Sequence, residues 1–312
     1  MRILNQTIED KWAMYHGDSI EVTKEIPENS IHYSIFSPPF ASLFTYSDSE
    51  RDMGNCKGAD EFADHFLYLV GDLFRITMPG RLLSCHCMNL PATLGHDGFI
   101  GIKDFRGDLI RTFIAAGFIF HSEIVIWKDP LVQAVRTKQL SLAHKQISKD
   151  SSRCGQGLPD YIVTMRKPGV NPEPIEHGRG FEDYIGTEPE PKDPKTDNAR
   201  TNKYSHKVWQ RYASPVWFDV NQTNTLNVKQ AREGRDERHI CPMNLDVIAR
   251  CLALWSNPGD VVFSPFAGIG SEGYQSVLAG RRFVGVELKE SYYRQAVLNL
   301  KSTVSQQQEL FA

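Results

Sequence analysis

The stretch that decides the fold is Val261–Leu288, VVFSPFAGIGSEGYQSVLAGRRFVGVEL. Val261–Phe263 reads as an apolar strand running into a turn that holds Gly268 and Gly270. Ser271–Ala279 follows with a helix-compatible pattern, Gly280 stops it, and Arg282–Val286 forms a second strand ending at Glu287. Glycines in such a turn let a ligand approach the backbone closely. The helix N-terminus supplies free N–H groups, and a carboxylate closing the second strand can accept from two ribose hydroxyls. The unit is a nucleoside-binding device. Spacing does not name the nucleoside, because Gly273 stands where a dinucleotide site would carry a third glycine. The plainer reading is a strand–helix connection that happens to hold glycines, and Glu287 weighs against it.

Outward from that unit, Asn244–Trp255 is an amphipathic helix delivered through Asn257-Pro258-Gly259-Asp260, and its N-terminal end can wall the same pocket. Near the other end of the chain, Trp12–Gly17 reads as a strand, Ser19–Ile26 as a helix, and Ser30–Phe36 as a buried strand. That last strand stops at Ser37-Pro38-Pro39-Phe40. Two prolines cannot continue a central strand, so they build a stiff corner at the strand's C-terminal end, where open α/β sheets bind ligands. The corner offers a hydroxyl, a held carbonyl and an aromatic face; by itself it is also an ordinary proline turn. Helices over Glu61–Thr77 and Phe105–Ala116 alternate with strands over Arg81–Met88 and Phe118–Trp127, with Pro79-Gly80 ending the first helix. The alternation predicts a mostly parallel, doubly wound sheet.

After Trp127 the pattern breaks. Lys128–Val170 carries eight Lys or Arg against three Asp. Asn171–Asp197 has eight acidic residues, three basic ones and five prolines, which reads as a poorly structured excursion. Thr201–Val220 mixes Tyr204, Trp209, Tyr212, Trp217 and Phe218 with Lys203, Lys207 and Arg211. Cations on phosphates and flat rings on bases suit a nucleic-acid groove, and Lys128, Arg136, Lys138, Lys145, Lys149, Lys207 and Arg211 are its candidate contacts. A solvated basic loop has the same composition.

The 312 residues carry a net charge of −3, which excludes a protein that coats nucleic acid indiscriminately but not a local basic cleft. No apolar run of membrane-spanning length occurs, and the charged N-terminus is unlike a signal peptide, so a cytoplasmic protein is expected. The six cysteines show no disulfide framework, and Cys85-His86-Cys87 is too tightly spaced for a zinc site, so no metal is expected.

Taken together, Ser37-Pro38-Pro39-Phe40 and Phe263-Ser264-Pro265-Phe266-Ala267-Gly268-Ile269-Gly270 resemble the catalytic and S-adenosylmethionine motifs of amino-group DNA methyltransferases. The order, catalytic corner first and cofactor loop last around a basic middle, is similar to that of the circularly permuted β class. The resemblance implies a Rossmann-like class I methyltransferase fold with a mostly parallel seven-stranded sheet and an inserted target-recognition region. It divides the chain into a catalytic half over 1–127, a target-recognition region over 128–237 with a flexible acidic excursion near 171–200, and a cofactor-binding half over 238–312. It implies that Ser37, Pro38, Pro39 and Phe40 are catalytic. Phe263, Ser264, Pro265, Phe266, Ala267, Gly268, Gly270, Glu287, His239 and Asp18 would hold S-adenosylmethionine, with Glu287 on the ribose. Two departures stand out: Ser264 replaces the usual Asp, and His239-Ile240-Cys241-Pro242 matches its motif only in part. Within the family a serine-led corner goes more often with cytosine N4 and an acidic one with adenine N6. Duplex DNA is the expected partner, with room for a homodimer and for a cognate restriction enzyme. The competing reading is a catalytically silent DNA-binding protein on this fold, motivated by Ser264.

Overall fold

A computed structural model describes residues 3–39, 59–137, 147–153, 155–227 and 242–310. Phe40, Lys138, Lys145 and His239 lie outside the described residues, as does the side chain of Arg136. The strands are β1 (Asn5–Ile8), β2 (Trp12–His16), β3 (Ile31–Phe36), β4 (Thr77–Met88), β5 (Leu90–Ala92), β6 (Gly101–Lys103), β7 (Ile119–Ile126), β8 (Asp160–Arg166), β9 (Val216–Trp217), β10 (Val261–Ser264) and β11 (Arg282–Glu287). Among the described residues, nine of them form one sheet in the order β1-β2-β11-β10-β3-β4-β8-β7-β9, and β5 and β6 make a separate hairpin.

From β2 to β4 every pairing is parallel. β8 then runs antiparallel to both β4 and β7. The expected seven strands are thus exceeded at both edges, by β1 antiparallel to β2 and by the two-residue β9 parallel to β7. The inner strands are apolar on both faces because helices cover both. On one face Phe36, Leu83, Cys85, Val163, Met165 and Phe263 pack against α1 (Ser19–Lys24), α2 (Ala59–Ile76) and, beyond the short α3 (Leu94–Asp97), α4 (Phe105–Ala115). On the other Tyr33, Ile35, Ile162 and Val262 meet, past the surface helices α5 (Pro130–Thr137) and α6 (Lys203–Tyr212), α7 (Leu245–Trp255), α8 (Ser271–Leu278) and α9 (Glu290–Leu310). Cys85 and Cys87 share one face of β4 and His86 points to the other, as period-two alternation requires, so these three cannot gather on one ion.

The segment over 128–237 supplies β8, inserted between β4 and β7, and two readings of the middle third need correction. The aromatic run over 201–220 is largely core: Tyr204, Tyr212 and Trp217 are each 1% exposed, leaving Trp209 and Phe218 at the surface. Rings so buried cannot stack on bases. The acidic excursion is coil, yet it is tied down. Phe181, Tyr184 and Ile185 pack on Tyr204 and Tyr212 of α6, and Arg250 of α7 donates to the Ile185 carbonyl at 2.7 Å. Its charge suppresses regular structure without preventing it from covering a helix. Finally, α2 ends at Ile76 and β4 begins at once, carrying Pro79-Gly80 inside the strand.

Candidate active site

The C-terminal ends of the parallel strands converge on one edge of the sheet, and both special turns lie there. After β10 the chain folds back, with Ala267 N donating to the Val286 carbonyl at 2.9 Å. Gly268 and Gly270 have φ of +53° and +87°, the left-handed region that glycine enters without strain. A Cβ on Gly268 would meet no atom within 4 Å, so the space in front of it is open to a ligand. A Cβ on Gly273 would lie 2.5 Å from the Phe283 ring, which makes this glycine a packing position under α8. Gly270 caps α8 without a side-chain bond, leaving the helix N-terminus available.

Glu287 holds the loop together. Its Oε2 accepts from Gly268 N and its Oε1 from Lys289 N, both at 2.8 Å. The neighbouring strand β2 ends beside it: Gly17 N donates to the Glu287 carbonyl at 3.0 Å, and Asp18 follows, capping α1 through Ile20 N at 2.9 Å. Ser264 and Ser271 bury hydroxyl oxygens that lack hydrogen-bond partners. Burial pushes Glu272, in the first turn of α8, up to about 8, and the Glu287 charge adds to the rise. Phe263 is wholly in the core, so only its backbone can face a ligand, whereas Phe266 is half-buried with its ring 5.9 Å from that of Phe36. This arrangement of glycines, an uncapped helix, orphaned hydroxyls and a carboxylate closing the second strand fits an adenosyl group.

The Phe36–Phe266 contact joins that cradle to the proline corner, because β3 and β10 are adjacent strands. Pro38 is buried; Ser37 and Pro39 are half-buried. Ser37 Oγ donates to the His86 carbonyl at 3.2 Å and lies 3.3 Å from His86 Nδ1. His86 Nε2 is 3.0 Å from Asp160 Oδ2, which Lys128 Nζ approaches at 2.7 Å. Burial alone would raise the Asp160 carboxyl. The His86 hydrogen bond and the Lys128 charge reverse that and hold it well below the usual carboxylate range.

Lys128 therefore stands behind the proline corner, paired with Asp160, rather than on a free surface. Lys149 and Lys207 are exposed, and Arg211 is turned onto the acidic coil, its guanidinium 4.3 Å above the Tyr184 ring and donating to the Pro189 carbonyl at 3.1 Å. Sequence reasoning missed His86, Asp160 and Glu272. The run Asp160-Tyr-Ile-Val-Thr-Met-Arg166 carries a strand signal that the surrounding lysines obscured.

The DNA methylase family model N6_N4_Mtase matches residues 31–298. DNA adenine methyltransferase YhdJ of Escherichia coli (strain K12) is 35% identical over 293 residues, 92% of this chain and 82% of YhdJ. Type II methyltransferase M.BamHI of Bacillus amyloliquefaciens is 22% identical over 288 residues, 89% of this chain and 55% of its own length, so the chain spans about half of that relative. Among solved structures, the cytosine-N4-specific PvuII DNA methyltransferase superposes with a TM-score of 0.64 at 15% identity, covering 97% of this chain and 94% of that one. TTHA0409 of Thermus thermophilus, complexed with S-adenosyl-L-methionine, superposes with a TM-score of 0.62 at 21% identity, covering 93% and 95%. At these identities the two structures establish a methyltransferase fold.

Proposed function

The chain belongs to the N6_N4_Mtase family of DNA methylases, and on that premise we propose that it methylates the exocyclic N4 amino group of cytosine in duplex DNA. The observation that carries the reading is the joining of two corners. The Ser37-Pro38-Pro39 turn ends β3, the glycine loop ends β10, and the Phe36–Phe266 contact links them. S-adenosylmethionine supplies an electrophilic methyl group on a sulfonium. Gly268, Gly270, Ser264 and Glu287 hold it, Glu287 through the ribose, with Asp18 and His239 completing the pocket wall.

An exocyclic amine is a poor nucleophile because its lone pair is spread into the ring. Ser37 Oγ and the Pro38 carbonyl each accept one of its N–H bonds, favouring a pyramidal nitrogen whose lone pair faces the methyl. Phe40 stacks on the base, which has left the duplex to reach the corner. The protein's contribution is mainly positioning. Arg136, Lys138, Lys145 and Lys149 of the basic segment after Trp127, together with Lys207 on α6, contact DNA, and the corner-before-cradle order supports the permuted β arrangement. Among the described residues no helix is long and apolar enough to cross a membrane.

Cytosine N4 is favoured by the serine that leads the corner. Adenine N6 is the second reading, favoured by the similarity to YhdJ, an adenine methyltransferase. The test is transfer of labelled methyl to mixed duplex DNA with the product nucleosides identified by mass. N4-methylcytosine supports the first reading and N6-methyladenine the second. No methylated base from a folded protein that binds DNA would replace both with the silent binder.

A further inference from the structure

We propose that His86, held by Asp160 and Lys128, is a positioning residue that keeps Ser37 an acceptor toward the target amine and then takes up the proton the reaction releases. The inference rests on the proposed role of Ser37, but its geometry stands by itself.

Asp160 is an ionised carboxylate and can only accept. The His86 Nε2 facing it at 3.0 Å must therefore carry a hydrogen. In the neutral ring that leaves Nδ1 bare, 3.3 Å from Ser37 Oγ. Both groups within reach of the Ser37 proton, Nδ1 and the His86 carbonyl, are then acceptors. The hydroxyl proton is drawn toward His86, and its lone pairs face outward to receive an N–H. A protonated His86 weakens this, because Nδ1–H then occupies one of the two Ser37 lone pairs.

Among the described residues, Lys128 on Asp160 is the other charge in this chain of contacts. The Arg106–Glu123 pair, at 2.8 Å, lies beside Cys87 and Tyr161 on the opposite face of the sheet. As the amino nitrogen bonds the methyl carbon, displacing sulfur with the bonding electron pair, it is left with one proton too many. That proton passes to Ser37 Oγ while the Ser37 proton passes to His86 Nδ1. The resulting imidazolium sits against the Asp160 carboxylate, which it shares with Lys128. A lone histidine would lack the fixed tautomer.

The first test is ring-nitrogen NMR of the full chain without DNA or methyl donor, with the His86 signals identified by their loss in His86→Gln. At mildly alkaline pH the Nε2–H tautomer is expected, and Asp160→Asn should make the tautomers mix; an Nδ1–H tautomer in the unmodified protein overturns the proposal. The second is single-turnover methyl transfer. His86→Gln should slow transfer by about a hundredfold and leave donor affinity within about twofold. An unchanged transfer rate in that variant overturns the proposal. Failure of the unmodified protein to methylate DNA counts against the proposed function, whereas the tautomer decides the His86 assignment independently.

Discussion

Ser264 stands at the end of β10 where an acidic residue would ordinarily contact the cofactor or order the loop, and its hydroxyl is buried without a partner. An unpaired buried hydroxyl costs the apo protein stability and is free to bond a ligand. Ser264→Ala should leave thermal stability unchanged or slightly higher while weakening S-adenosylmethionine binding by about two- to tenfold by calorimetry, the worth of one hydrogen bond. Glu272, nearby, behaves differently with pH. Burial raises its folded-state pKa to about 8, so between the ordinary Glu range and that value the folded protein keeps a proton the unfolded chain has lost. Stability from this group therefore falls as pH rises through that window and is level above it. Glu272→Gln should flatten the dependence, with a gain on the order of 5 kcal/mol above the window and little below it. Equal melting shifts on both sides would contradict this.

At the scale of the element, α8 is held to the sheet by what Gly273 lacks. A Cβ there would stand 2.5 Å from Phe283 on β11 and 2.9 Å from Leu300 on α9. Gly273→Ala should lower stability by about 1–3 kcal/mol through overpacking, read from the urea midpoint. Tolerance of alanine would mean that α8 can lift away from β11. The bounds of this strand–turn–helix–strand unit were legible to within about a residue, because each signal is local: β-branched runs, turn glycines, an amphipathic stretch. β8 was not legible. Its neighbours β4 and β7 lie far off in the chain, and its pairing owes nothing to the lysines beside it.

At the scale of the molecule, the acidic coil is bound to the core through one buried cation. Arg250 is fully buried, pairs with Asp219 at 2.8 Å and donates to the Ile185 carbonyl at 2.7 Å. Its attraction, with the Tyr184 hydrogen bond, outweighs the effect of burial and holds the Asp219 carboxyl below its ordinary range. Arg250→Ala strands that charge, and a loss of about 3–5 kcal/mol by urea unfolding is expected. An unchanged midpoint would mean that the coil is not anchored there.

What the sequence by itself determined is what short-range chemistry dictates: the glycine turn after β10, the proline corner after β3, the carboxylate closing β11, and hence the alternating architecture. Tertiary structure alone decided which faces meet. It buried Tyr204, Tyr212 and Trp217, drew Lys128 away from the surface onto Asp160, and placed His86 between Asp160 and Ser37, positions separated from it by 74 and 49 residues. The physical reason is that periodicity and turn propensity act within a few residues, whereas strand order and charge pairing depend on which distant segments share a sheet edge. No local pattern encodes that choice.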